Sequence, residues 1–203
     1  MKKQPELNYD IKFTYKADWW RYFGEYQFTV DLLFKSLSGG EVTVVALPLA
    51  YLMRHTLELG YKMNLIELEK VSGVKAQIAY KGKSAHKIDD LHREFEIQMK
   101  AIFIKYKADK EIIKQFNNLN SKLRDLKVMM HKLDELSYAF RYPVKNDGIT
   151  PNFDKSDIED KTDVINFKQI KPVYDDSIHL IKYSTDVVKE IIDNYDQHND
   201  LQN

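Results

Sequence analysis

Arg124, Asp125 and His131 stand close enough along one segment, RDLKVMMH, to do chemistry together. Seven residues separate the arginine from the histidine, nearly two helical turns, which leaves both on one face of a helix. An arginine so placed can hold a phosphodiester, while a histidine moves a proton to or from a ribose 2′-hydroxyl, without a metal ion. Histidine suits that task because its unperturbed pKa lies near neutrality. Asp125 would orient one of the two.

Further reactive groups lie in PLAYLMRHTLELGYKMNLI, residues 48–66. Arg54, Glu58 and Lys62 recur every four residues and form one lengthwise stripe of plus, minus and plus. On an exposed helix such pairs contribute a few tenths of a kcal/mol each. The stripe is therefore either a solvated face or the lining of a cleft or dimer seam. His55 projects about 100° away, toward Leu52 and Leu59, where an interior histidine is expected. His86 precedes SAHKIDDLHREF's helical part, whose Asp89 and Asp90 suit the positive end of the helix dipole. His86 and His92 lack the spacing of a metal site with these acids, so no metal and no cofactor is expected. In FRYP, Phe140, Tyr142 and Pro143 are expected to pack the chain against the bundle. Arg141 is then either buried with a carboxylate such as Glu58 or offered to an anion.

Helices must position most of these groups. Asp18 can cap a helix from about Trp19 to Leu37, and Ser38-Gly39-Gly40 ends it. A second runs from Glu41 or Val42 to about Val71, with Pro48 either kinking it or sitting in the first turn of a later start. Residues 72–84 read as a loop. A third helix spans Lys87 to about Tyr106, a fourth Lys110 to about Leu136, and a last one about Lys168 to Tyr195. Residues 1–17 suggest an extended arm, with alternation of Tyr9, Ile11, Phe13 and Tyr15. Residues 138–167 suggest an extended β-hairpin insertion, with Val164 to Phe167 returning as a strand. The tail, 196–203, should be disordered. The expected fold is mainly all-α: one domain, 1–203, built as a four- to five-helix bundle with a small β-hairpin after the fourth helix.

Composition narrows the function classes. Thirty-one basic and 31 acidic residues give no formal net charge, which removes the simplest case for a nucleic-acid binder while allowing a local basic patch. Without cysteine, the chain has no disulfide framework, thiolate metal site or cysteine nucleophile. No signal peptide and no membrane span is expected, and the simplest location is the cytoplasm.

RHTLELGYK, a loop, and AHKIDDL together resemble the E-L-x-x-K … H-x-x-x-x-L pattern of HEPN proteins (higher eukaryote and prokaryote nucleotide-binding). The likeness is strongest over residues 47–95 and extends to 143, where SYAFRYP is similar to the S-x-A-F-R-Y-P motif of a bacterial branch that also carries R-H-x-L-E-L. The resemblance implies a helical bundle, a homodimer through the long helices, and either metal-independent ribonuclease activity or a non-catalytic binding module. It further implies RNA or a nucleotide as ligand, and a toxin–antitoxin or phage-defence setting with an antitoxin or defence component as protein partner. The family's arginine–polar–histidine signature matches Arg124, Asp125 and His131 at its longest spacing, and in active relatives two such motifs meet across the dimer. Arg54, His55, Glu58, Lys62, His86, Arg141 and Tyr142 become the expected substrate-binding set. Tyr61 departs from the aliphatic residue usual before Lys62, and no tyrosine follows His131 at the short spacing of many toxin members.

Overall fold

A helix that is apolar around its whole circumference must be surrounded by other elements. Leu49, Met53, Leu57, Leu59, Met63, Leu65 and Leu68 point in every direction from one helix, and all are buried. In the computed structural model, residues 18–37, 42–78, 80, 83–134, 138–145, 147–152 and 166–200 are described. They form α1 (Trp19–Ser36), α2 (Val42–Ser72), a 3-10 turn (Lys83–His86), α3 (Ile88–Lys105), α4 (Lys110–Leu133) and α5 (Phe167–Asp200). The central helix α2 packs on α1, α3 and α5, while α4 closes the bundle against α3 and α5. A single apolar core draws on all five helices.

Local chemistry sets the helix ends. The Asp18 carboxylate accepts the Arg21 amide at 2.9 Å and opens α1. Asp109 does the same for α4 through the Glu111 amide. Gly73, at φ 74°, adopts the left-handed conformation that terminates α2. Pro48 lies inside α2, so the alternative of a later helix start is not realised. The bond it cannot make is the one to the carbonyl of Val44, a residue on the exposed side of the helix.

Several expected boundaries move. The fourth helix stops at Leu133 instead of Leu136, because the Asp134 carboxylate accepts the amides of Tyr138 and Ala139 and turns the chain. The last helix continues to Asp200, so residues 196–200 are helical and not a disordered tail. It begins at Phe167, which therefore does not end a strand; Val164 and Ile165 lie outside the described residues. The N-terminal arm also lies outside them. The expected β-hairpin is reduced to one antiparallel bridge, Val144 with Pro151, and no strand forms among the described residues. Pro143 and Pro151 bring no N–H to a ladder. Asp147 also accepts the amides of Ile149 and Thr150, both at 2.9 Å, diverting them into a turn.

No helix among the described residues is long and apolar enough to cross a membrane.

Candidate functional site

Glu58 is the centre of a polar cluster built inside the bundle. Its Oε1 accepts from Lys62 Nζ at 2.6 Å and lies 2.9 Å from His86 Nδ1. Its Oε2 is 3.4 Å from an Arg54 terminal nitrogen. The Arg54 guanidinium then ties two more segments to α2. Its Nε donates to the Asp134 carbonyl at 2.8 Å, and its second terminal nitrogen donates to the His86 carbonyl at 2.6 Å. The end of α4 and the entry to α3 are thus fastened to one buried side chain.

Burial changes what the stripe of charges means. The side chains of Arg54 and Glu58 are 0% and 1% exposed, so the solvated-face alternative fails. The reason is the position of α2, which is enclosed by three other helices. Inside, an ion pair persists only when its remaining hydrogen-bonding groups are satisfied, and here two carbonyls, Lys62 and His86 do so. Burial alone would raise the Glu58 pKa. The Lys62 hydrogen bond and charge, with His86 and His55, outweigh it and hold the carboxyl below the usual range. Burial lowers the Arg54 pKa, opposed by the charges of Asp134 and Glu58.

The cluster reaches the surface through aromatic rings. The half-buried His55 stacks on Tyr51 at 5.5 Å between centroids and meets the edge of Tyr26 at 4.7 Å. Burial lowers its pKa, against the attraction of Glu58. Arg141 lies outside the core, its guanidinium 5.7 Å from the Tyr51 centroid and 5.5 Å from that of Tyr142. Tyr142 packs in turn on Tyr138 at 4.5 Å. Of the two alternatives for Arg141, burial with a carboxylate is not realised, because the residue is exposed; Tyr142 and Pro143 are exposed too and do not pack into the bundle as expected, whereas Phe140 is buried. Burial raises the Tyr51 pKa, opposed by the charge of Arg141 and reinforced by those of Tyr26 and Glu58.

Seven expected substrate-binding residues, Arg54, His55, Glu58, Lys62, His86, Arg141 and Tyr142, therefore share one region. Tyr26, Tyr51, Tyr138 and Asp134 belong to it as well and were not anticipated. For Tyr51 a signal existed, because it stands one helical turn before His55. Asp134 carried none, since its role depends on the chain reversing after α4.

Arg124, Asp125 and His131 occupy a different place, the α3–α4 seam. Arg124 is half-exposed and donates to Glu96, which also accepts from Asn120 at 2.6 Å. Asp125 is exposed. His131 is partly buried, and its neighbour Asp89 is held below the usual carboxylate range, chiefly by the hydrogen bond from Lys127 and to a lesser degree by the charge of His131. The Nδ1 of His131 is enclosed without a hydrogen-bond partner among the described residues. Beneath the seam, His92 Nδ1 sits 2.9 Å from the Tyr61 hydroxyl, and burial pushes the His92 pKa down to about 4. His86 and His92 thus serve separate partners, and no three histidine, aspartate or glutamate side chains converge as metal ligands among the described residues.

No family model, curated protein or solved structure matches the chain.

Proposed function

We propose that this protein is a HEPN-like module that binds RNA at the face where Arg141 meets Tyr51, Tyr138, Tyr142, His55 and His86. The observation that supports it most is the exposed guanidinium held over two tyrosine rings beside a buried polar network. Single-stranded RNA is recognised by aromatic stacking of its bases and by cations at its phosphates. This face offers both within one neighbourhood. Arg54, Glu58 and Lys62 form the rigid floor and do not themselves touch the ligand. A free nucleotide satisfies the same chemistry, and a panel of nucleotides in a thermal-shift assay separates the two ligands.

Fluorescence anisotropy with a labelled single-stranded RNA tests the reading. Arg141→Ala should weaken binding by about 10-fold or more, the scale of a lost charged or stacking contact. Its melting temperature should stay close to that of the parent, because the side chain is exposed. Unchanged affinity in Arg141→Ala would exclude this face.

A second reading assigns metal-independent RNA cleavage to α4, with Arg124 on the phosphate, His131 as acid or base and Asp125 orienting one of them. The unpartnered His131 Nδ1 favours it, whereas the Arg124–Glu96 pair opposes it by occupying the guanidinium. Cleavage that survives a chelator and disappears in His131→Ala, at unchanged melting temperature, would support it. The homodimer and the antitoxin or defence partner belong to the same proposal.

A further inference from the structure

Arg54 fastens the start of α3 and the end of α4; at their opposite ends the chain turns through Tyr106, Lys107, Ala108 and Asp109. The turn closes α3 with two backbone bonds. The Lys107 amide donates to the Ile104 carbonyl at 3.4 Å and the Ala108 amide to that of Phe103 at 3.0 Å. This motif holds the residue after the C-cap in the left-handed region, where glycine is the usual occupant because a Cβ is strained there. At the end of α2 that residue is Gly73, with φ 74°. At the end of α3 it is Lys107, with φ 47°, the one non-glycine residue of positive φ among the described residues. The fold thus keeps a lysine side chain where glycine would relieve the backbone. The contact that the side chain makes, with the ammonium 6.0 Å from the Tyr195 ring centroid, is at the outer limit of a cation–π pair and at an exposed residue. It offsets little of that strain.

Lys107 borders a cavity of about 630 Å³ between this turn and the end of α5, a size typical of small-molecule sites. Ala108, Ile112 and Ile191 supply apolar lining. Tyr106 and Tyr195 meet at 87° with centroids 5.6 Å apart. They form a corner that receives a flat ring, stacked on one tyrosine and edge-on to the other. His198 donates from Nδ1 to the Asn194 carbonyl at 2.7 Å, because a carbonyl only accepts. In the neutral ring Nε2 is then the acceptor that His198 brings to the lining. The acid of the lining, Asp109, is committed to capping α4 through the Glu111 amide at 2.7 Å.

We propose that this cavity binds an aromatic carboxylate. The flat ring sits in the tyrosine corner, the Lys107 ammonium pairs with the carboxylate, and His198 Nε2 accepts from an N–H or O–H group on the ring. The strain at Lys107 is the cost of placing that ammonium at the cavity. The site is separate from the Arg141 face and does not depend on RNA binding.

Isothermal titration of the full chain with indole-3-acetate and 4-hydroxyphenylacetate tests the proposal. Tryptamine supplies the same indole with an ammonium, and butanoate a carboxylate without a ring. At least one of the aromatic carboxylates should bind saturably, about 10-fold or more tighter than tryptamine or butanoate. Lys107→Gly should weaken that binding by about 10-fold or more while the melting temperature stays or rises, since glycine relaxes the left-handed backbone. His198→Ala, at an exposed position, should also weaken binding with the melting temperature unchanged. Three results each overturn the inference: no saturable binding of either aromatic carboxylate, tryptamine bound as tightly, or parental affinity in Lys107→Gly. A lower melting temperature in Lys107→Gly with unchanged binding would assign the lysine to stability alone and overturn it as well.

Discussion

His92 lies within the contact between α2 and α3, where its ring meets the Tyr61 ring at 5.7 Å and shares a hydrogen bond with its hydroxyl. Burial keeps it neutral, with a pKa of about 4 against 6.5 for an unperturbed ring. The unfolded chain therefore binds a proton that the folded chain refuses between these two values. The contribution to stability is complete above pH 6.5 and is lost progressively down to about pH 4, by up to about 3 kcal/mol. His55, also lowered by burial, acts in the same direction. Urea unfolding at pH 7 and pH 5 checks this: His92→Gln, which keeps an acceptor for Tyr61, should shrink the difference between the two. An equal difference in parent and variant would show that His92 does not carry it. At this scale the sequence was informative about residue type and not about burial. Arg54, Glu58 and Lys62 keep the same spacing whether a helix faces water or three neighbours, and only the count of apolar residues around α2 favours the latter.

Along α2 the tightest point is Gly60. A methyl group built there would clash with Ile181 Cγ2 of α5 and lie 2.9 Å from Phe23 Cε2 of α1. Both neighbours are buried and cannot swing aside. Replacing glycine by alanine inside a helix ordinarily stabilises by about 1 kcal/mol. Here overpacking opposes it, typically by 1–3 kcal/mol. Gly60→Ala should lower the melting temperature, while the same change at Gly24, whose added methyl would meet nothing within 4 Å, should raise it or leave it unchanged. Differential scanning calorimetry of the two variants tests the helix packing directly. The helices themselves were legible from apolar periodicity, and Asp18 marked the start of α1 locally. The end of α4 was set partly from a distance. Asp134 stops α4 because its carbonyl is held by Arg54 and its carboxylate by amides several residues on. Such a stop has no local signature.

As a whole, the chain carries equal numbers of basic and acidic residues, so no long-range field gathers nucleic acid to it. On α4, Arg124 is matched by Glu96 and Lys127 by Asp89. The proposed RNA binding therefore rests on a small surface, for which stacking should outweigh phosphate contacts and the dependence on salt should be shallow. That surface gathers residues from α2, the turn before α3 and the chain after α4, a convergence that spacing along the chain could suggest only through the family resemblance. Photo-crosslinking with a 4-thiouridine-substituted single-stranded RNA, followed by mass spectrometry of the crosslinked peptides, locates it directly. Crosslinks are expected at Tyr51, Tyr138 or Tyr142, with their loss in Arg141→Ala. Crosslinks confined to the α4 peptide carrying Arg124, Asp125 and His131 would contradict it.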